Sequence, residues 1–146
     1  MKEPLLISAC LTGECCKYSG GHNALPPEQL RTLEERYRLL PVCPERDGGL
    51  PTPRIPSERR GERVVNRAGE DVSAAFQRGA ALAVAKAKAN GCRRALLKER
   101  SPSCGSGQIY DGSFSGRLVP GDGVAAALLK ENGLAVIGET QIEELF

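Results

Sequence analysis

The sequence predicts an α/β fold, one domain over residues 1–146 with a parallel, Rossmann-like sheet flanked by helices. Three observations carry that expectation. Short aliphatic runs alternate with longer amphipathic or alanine-rich ones, the pattern of strands joined by crossover helices. Two of the longer runs stop at Asn-Gly, a left-handed helix terminator. A length of 146 residues suits one domain and one core.

Each element has its own warrant. Leu5-Leu6-Ile7-Ser8-Ala9 is apolar on both faces, as a buried strand must be, and ends at Cys10. Pro26-Pro27-Glu28 opens a helix with proline in the first turn, and Leu30, Leu33 and Tyr37 form its apolar stripe. Arg38 to Val42 is the second strand, stopped by Cys43-Pro44. From Pro44 to Arg60 the density of Pro and Gly predicts an ordered loop, followed by a small hairpin or extended excursion over Arg63-Val64-Val65 and the turn Asn66 to Gly69. The longest helix is expected from about Asp71 to Asn90, with Asp71 or Ser73 as its cap. Its alanines permit close packing on a sheet. Arg94 to Lys98 is a strand, Ser101 to Gly107 a loop, and Asp122 to Asn132 a further helix. Leu134 to Ile137 is the last strand, and Thr140-Gln141-Ile142-Glu143 reads as a capping box for a terminal helix.

Composition excludes several functions. Twenty Lys and Arg against 18 Asp and Glu leave +2, too balanced for electrostatic capture of nucleic acid or of an anionic membrane. Aromatics are 4% with no Trp, which argues against a base-stacking platform of the RRM type. No apolar run approaches the roughly 20 residues of a membrane span. Ile7-Ser8-Ala9-Cys10 has the look of a lipoprotein cleavage box, but Glu3-Pro4 leaves no hydrophobic region before it. A cytoplasmic setting is therefore expected, where six cysteines are ligands, catalysts or core residues rather than a disulfide framework.

In an open α/β sheet, ligands sit beyond the carboxyl ends of the strands. Cys10 follows the first predicted strand, Cys43 the second, and Cys104 lies just past the Arg94–Lys98 strand. Three thiols distant in sequence would then meet at one sheet edge, a donor set suited to a soft metal or an iron–sulfur cluster. Cys16, one loop after Cys10, is an alternative ligand or a nearby thiol. The competing reading is that strand-end cysteines are small buried hydrophobes. Ser101-Pro102-Ser103-Cys104-Gly105-Ser106-Gly107 combines hydroxyls and glycines around a thiol, a backbone able to aim N–H groups at an anion or at cluster sulfides. Glu45 follows Cys43 by two residues and is a candidate general base, poised by a metal and an apolar wall; a solvated Glu is the plain alternative. Other motifs fail. Gly105-Ser106-Gly107 lacks the third glycine of a dinucleotide fingerprint, no P-loop occurs, and no Cys-x-x-Cys pair supports a zinc ribbon. His22 reads as a loop residue, and Cys15 and Cys92 as incidental.

Several segments together carry a resemblance. They are Ser8-Ala9-Cys10-Leu11-Thr12-Gly13 with Cys16-Lys17-Tyr18 and Gly20-Gly21, then Pro41-Val42-Cys43-Pro44-Glu45 with Gly48-Gly49-Leu50-Pro51-Thr52-Pro53-Arg54. Val64-Val65-Asn66 with Gly69-Glu70-Asp71-Val72, Ser101 to Gly107 with Tyr110-Asp111-Gly112, and Gly121 to Leu129 complete the set. The pattern resembles the thiouracil desulfidases, a bacterial family once known only as a domain of unknown function. The resemblance spans nearly the whole chain.

It implies a [4Fe-4S] cluster held by three cysteines, drawn from Cys10, Cys16, Cys43 and Cys104, with one iron open. The strand-end argument favours Cys10, Cys43 and Cys104. The implied reaction is non-redox: thiouracil and water give uracil and hydrogen sulfide, with the open iron as Lewis acid, Glu45 as acid–base and Ser101 and Ser103 orienting the base or the water. The expected partner is thus a small thiolated pyrimidine, with no membrane and no dedicated nucleic-acid surface. Three other readings stay open: thiouridine within transfer RNA as substrate, a cluster-free persulfide route, and a non-enzymatic iron–sulfur sensor or binding module. The preferred ring position, the oligomeric state and the strand order are not expressed in the sequence.

Overall fold

Four parallel strands form the centre of the computed structural model, which describes residues 1–146. They are β1 (Glu3–Ser8), β2 (Tyr37–Val42), β5 (Arg94–Leu97) and β8 (Ala135–Gly138), in the spatial order β2-β1-β5-β8. Between them run helices α1 (Pro27–Arg36), α2 (Pro44–Asp47), α3 (Ser73–Asn90) and α4 (Val124–Glu131). Two antiparallel hairpins, β3 (Ser57–Arg60) with β4 (Arg63–Asn66) and β6 (Gln108–Tyr110) with β7 (Leu118–Pro120), stand apart from the sheet. No helix is long and apolar enough to cross a membrane.

The strand order explains where the helices go. From β1 the chain moves outward to β2, then crosses back over β1 to β5 and continues to β8. Right-handed crossovers in opposite directions deposit their helices on opposite faces. Two apolar clusters record this. Leu6, Ala95 and Leu97 pack with Ala83, Val84 and Ala87 of α3 and Ala126 and Leu129 of α4. Leu5, Ile7 and Leu96 pack on the other face with Leu33 of α1 and with Ile142 and Leu145. Alternate residues of one strand serve alternate faces, so β1 must be apolar throughout. The direction reverses between β1 and β5, and a crevice opens there.

The expected architecture and every expected sheet strand are present, with several local differences. Tyr37 is not on the α1 stripe. It is the first residue of β2, because α1 runs into that strand with no loop, and its hydroxyl donates to the Leu145 carbonyl at 2.5 Å. The supposed loop from Pro44 to Arg60 contains α2 and β3. The α3 helix begins at Ser73, and neither Asp71 nor Ser73 is its N-cap; the Ser73 hydroxyl is engaged by the Val64 N–H at 2.8 Å instead. Gly91, left-handed at φ 70°, ends α3 as expected. The helix expected from Asp122 starts at Val124, since Asp122 is used to hold a loop. The predicted terminal capping box does not form. Thr140 donates its N–H to Glu99 at 2.6 Å, and Glu139–Leu145 is a 3-10 helix without a side-chain cap. The β6–β7 hairpin is a further element, one that no run of the sequence predicts.

Candidate functional site

The carboxyl ends of β2, β1 and β5 lie side by side and open into a cleft of about 610 Å3. Cys43 is the first residue after β2, Cys10 the second after β1, and Cys104 lies in the loop after β5. All three line the cleft, and Cys16 joins them. Cys10 sits in a 3-10 turn (Ala9–Thr12) ended by Gly13 at φ 99°. That turn sends the chain back along the edge, so that buried Cys16 packs with Cys43 and Ala9. The Cys43 thiol points at the Cys16 carbonyl, 3.7 Å away. Cys15 is exposed and Cys92 lies in the core cluster of α3 and α4, both outside the cleft. His22 also lies outside it, its Nδ1 accepting from the Ala24 N–H within its own loop.

Burial raises three of these thiols. Complete burial pushes Cys104 up to about 12, against the opposing pull of hydrogen bonds from Ser8 and Ser103. Burial, with Cys43 alongside, pushes Cys16 up to about 12 as well. Cys10 is raised by burial and partly relieved by Asn23. At neutral pH these three groups are thiols, so any metal they take must displace protons.

Glu45 and the two serines form one hydrogen-bonded line. The Ser101 oxygen accepts the N–H groups of Ser103 and Cys104 at 3.1 and 3.0 Å, fixing the turn that carries the thiol. The two hydroxyl oxygens of Ser101 and Ser103 are 3.0 Å apart, and Ser103 donates to Glu45 Oε2 at 2.9 Å. A carboxylate only accepts, so when Ser103 donates to Glu45 it accepts from Ser101; the same hydroxyl also lies 3.7 Å from the Cys104 sulfur. The partners of Glu45 are polar on both carboxylate oxygens. Its other oxygen meets Arg54 Nε at 3.1 Å, in an ion pair whose side chains are only 14% and 6% exposed.

Arg54 was not singled out for a role by its sequence context, although it is the only charged residue between Asp47 and Glu58. That isolation in a Pro- and Gly-rich loop was the available signal. Its guanidinium also reaches the carbonyls of Cys16 and Pro51 at 2.9 and 3.2 Å and the Thr52 hydroxyl at 3.1 Å. The Cys16 segment and, through Glu45, the Cys43 segment are thereby tied to one cation. Lys98, also missed, lines the cleft and pairs with Glu139.

Glycines admit the backbone to this crowded edge. A β-carbon on Gly79 of α3 would lie 1.8 Å from the Pro44 carbonyl oxygen, and one on Gly123 would lie 2.4 Å from the Ser103 carbonyl carbon. Asp122 adds a brace: its Oδ1 accepts the Gly107 N–H at 2.8 Å and the Lys130 ammonium at 2.9 Å.

A doubly wound α/β protein with four thiols, a carboxylate and two serines at its switch point is defined by these observations. The chain belongs to the 2-thiouracil desulfurase family, whose profile matches residues 5–141. It is 42% identical over 151 aligned positions to YbbK, an uncharacterized protein of Bacillus subtilis (strain 168), covering 97% of this chain and 99% of that one. It is also similar to a solved structure of the [4Fe-4S]-dependent thiouracil desulfidase TudS, at 49% identity and a TM-score of 0.94, covering 99% of this chain and 95% of the other.

Proposed function

We propose that this chain is a thiouracil desulfidase, replacing the exocyclic sulfur of thiouracil with the oxygen of water to give uracil and hydrogen sulfide at a [4Fe-4S] cluster. The observation that carries this reading is the meeting of four cysteines with the Glu45–Ser103 pair in one cleft. Family membership and the likeness to TudS support it. The donor set fits such a group. Thiolates are the protein ligands of iron–sulfur clusters, and these thiols surround a cleft rather than converge on a point; no three His, Cys, Asp or Glu side chains are grouped to hold a single metal ion. Cys10, Cys43 and Cys104, from three adjacent strand ends, would hold the cluster, with Cys16 as the thiol beside Cys43.

When bound, the cluster supplies Lewis-acid chemistry toward the exocyclic sulfur, without net oxidation or reduction. The protein supplies the rest. Arg54 holds Glu45 Oε1, leaving Oε2 to take a proton from the attacking water. Ser103 keeps its hydroxyl proton directed at that same oxygen, which fixes the carboxylate plane. Ser101, anchored by two backbone N–H groups, orients the water or the ring through its hydroxyl. Lys98 adds a cation at the cleft wall, where its pairing with Glu139 limits its freedom.

The test is anaerobic purification with iron and sulfide analysis, then incubation with 2- and 4-thiouracil while hydrosulfide is followed. Bound iron and sulfide with hydrosulfide release and uracil formation are expected. A loaded protein that leaves both thiouracils intact would refute the reading.

A further inference from the structure

The outer wall of the cleft contains a side chain that neither the core nor the acid–base group accounts for. Phe114 stands alone among small residues in Gly112-Ser113-Phe114-Ser115-Gly116. It belongs to none of the apolar clusters of the fold, yet it lines the cleft. Its φ is +58°, a conformation that a bulky residue adopts at a cost. The turn that imposes this is clamped from the neighbouring hairpin. Glu58 Oε1 accepts the N–H groups of Gly112 and Phe114 at 2.9 and 3.1 Å, and Arg60 Nε donates to the Gly112 carbonyl at 2.7 Å. Arg67, another cleft residue, places its guanidinium 5.6 Å from the centre of the Phe114 ring. An aromatic ring held by a strained backbone, a buttressing carboxylate and a cation on one face is a preorganised surface.

From this geometry we infer that Phe114 is a substrate-positioning residue, a platform on which a flat heteroaromatic ring stacks on entering the cleft, with Arg67 holding the platform in place. The inference rests on the proposed function for the identity of that ring, a thiolated pyrimidine. It adds a basis for selectivity: a planar ring is favoured over a thiocarbonyl compound that has none.

The experiment compares wild type, F114L, F114Y and R67Q as cluster-loaded proteins, measuring kcat and KM for 2-thiouracil and the Kd for uracil by calorimetry. Base–aromatic stacking is large enough that F114L should raise KM and the uracil Kd by about tenfold, with kcat unchanged within about twofold. F114Y, which keeps the ring, should behave as wild type, and R67Q should show a smaller rise. Iron content and Tm should be the same in all four. F114L with KM and Kd close to wild type would overturn the inference. So would equal impairment of F114L and F114Y, which would mark a structural role for the turn. Failure of the functional reading is separable: wild type that binds uracil but turns over no thiouracil refutes the activity, while the F114L Kd still decides the platform.

Discussion

Gly79 offers a sharp test of how the site is held, because two physical effects act on it in opposite directions. It lies inside the 18-residue α3 helix, where replacing Gly by Ala ordinarily gains about 1 kcal/mol of helix propensity. The new β-carbon, however, would stand 1.8 Å from the Pro44 carbonyl oxygen and 2.5 Å from its carbon. Contacts under 3.0 Å are not sustained, so α2 must retreat by at least about 1.2 Å. Pro44 is flanked by Cys43 and Glu45. A shift of that size takes the 2.9 Å hydrogen bond between Ser103 and Glu45 beyond hydrogen-bonding range when the motion is directed away. Overpacking costs about 1–3 kcal/mol, leaving a net stability loss of about 0–2 kcal/mol once the propensity gain is counted. Misplacing a reacting group by about 1 Å costs on the order of 100-fold in rate. G79A is therefore expected to fold and to lose about two orders of magnitude in hydrosulfide release, whereas L82A on the exposed side of the same helix should keep full activity. Thermal unfolding, iron content and initial rates would be measured together. A fully active, fully loaded G79A would refute the claim that backbone contact with α3 sets the position of Glu45.

Other consequences are simpler. E45Q keeps the shape of the side chain but removes the proton acceptor, so kcat should fall by about 10²–10⁴-fold with cluster content retained. C104A should lose iron, while C92A, which truncates a core residue remote from the cleft, should lose stability and keep its iron on analysis. R54M strips the partner from a nearly buried carboxylate and should destabilise the fold by about 3–5 kcal/mol in denaturant titration, with R54M/E45M recovering much of the stability and none of the activity. The Asp122 carboxyl is raised by burial, but hydrogen bonds from Lys130 and the Gly107 N–H outweigh this and hold it below the usual range. Its contribution is thus present above pH 4 and lost as pH falls through the lowered value; D122N should flatten that part of the acid-unfolding curve.

The centre of the sheet was legible in the sequence because its two inner strands, β1 and β5, are buried on both faces. Leu5-Leu6-Ile7 and Ala95-Leu96-Leu97 have no solvent side, so they appear as uninterrupted aliphatic runs whatever surrounds them. The helix stop at Asn90-Gly91 was legible for a similar reason, since only a few residues tolerate that backbone. What failed were the places where a side chain has a distant use. Ser73 has the chemistry of a cap but is recruited by Val64 of the adjacent hairpin. Thr140 begins a correct capping-box pattern, yet Glu99 takes its N–H across 41 positions of chain. The β6–β7 hairpin is only three residues a side, and β3 is rich in charge, so neither leaves a periodic trace.

The site divides along the same line. Three cysteines could be placed at one edge because strand direction alone puts every strand end of a parallel sheet together. Glu45 came with Cys43, its neighbour in sequence. The nature of its environment could not come that way, because Arg54 reaches it from a loop that no periodicity describes. Proximity in sequence predicted an acid beside a metal and an apolar wall; proximity in space supplied a guanidinium. The difference matters for geometry: an apolar wall offers no hydrogen bond, whereas the guanidinium holds one carboxylate oxygen and leaves the other to Ser103. With Ser103 donating to Glu45 Oε2 and Ser101 3.0 Å behind it, the serines brace the carboxylate oxygen that Arg54 leaves free. In the proposed mechanism that arrangement suits a group that takes a proton from water, and it gives Arg54 the task of holding Glu45 in place for it.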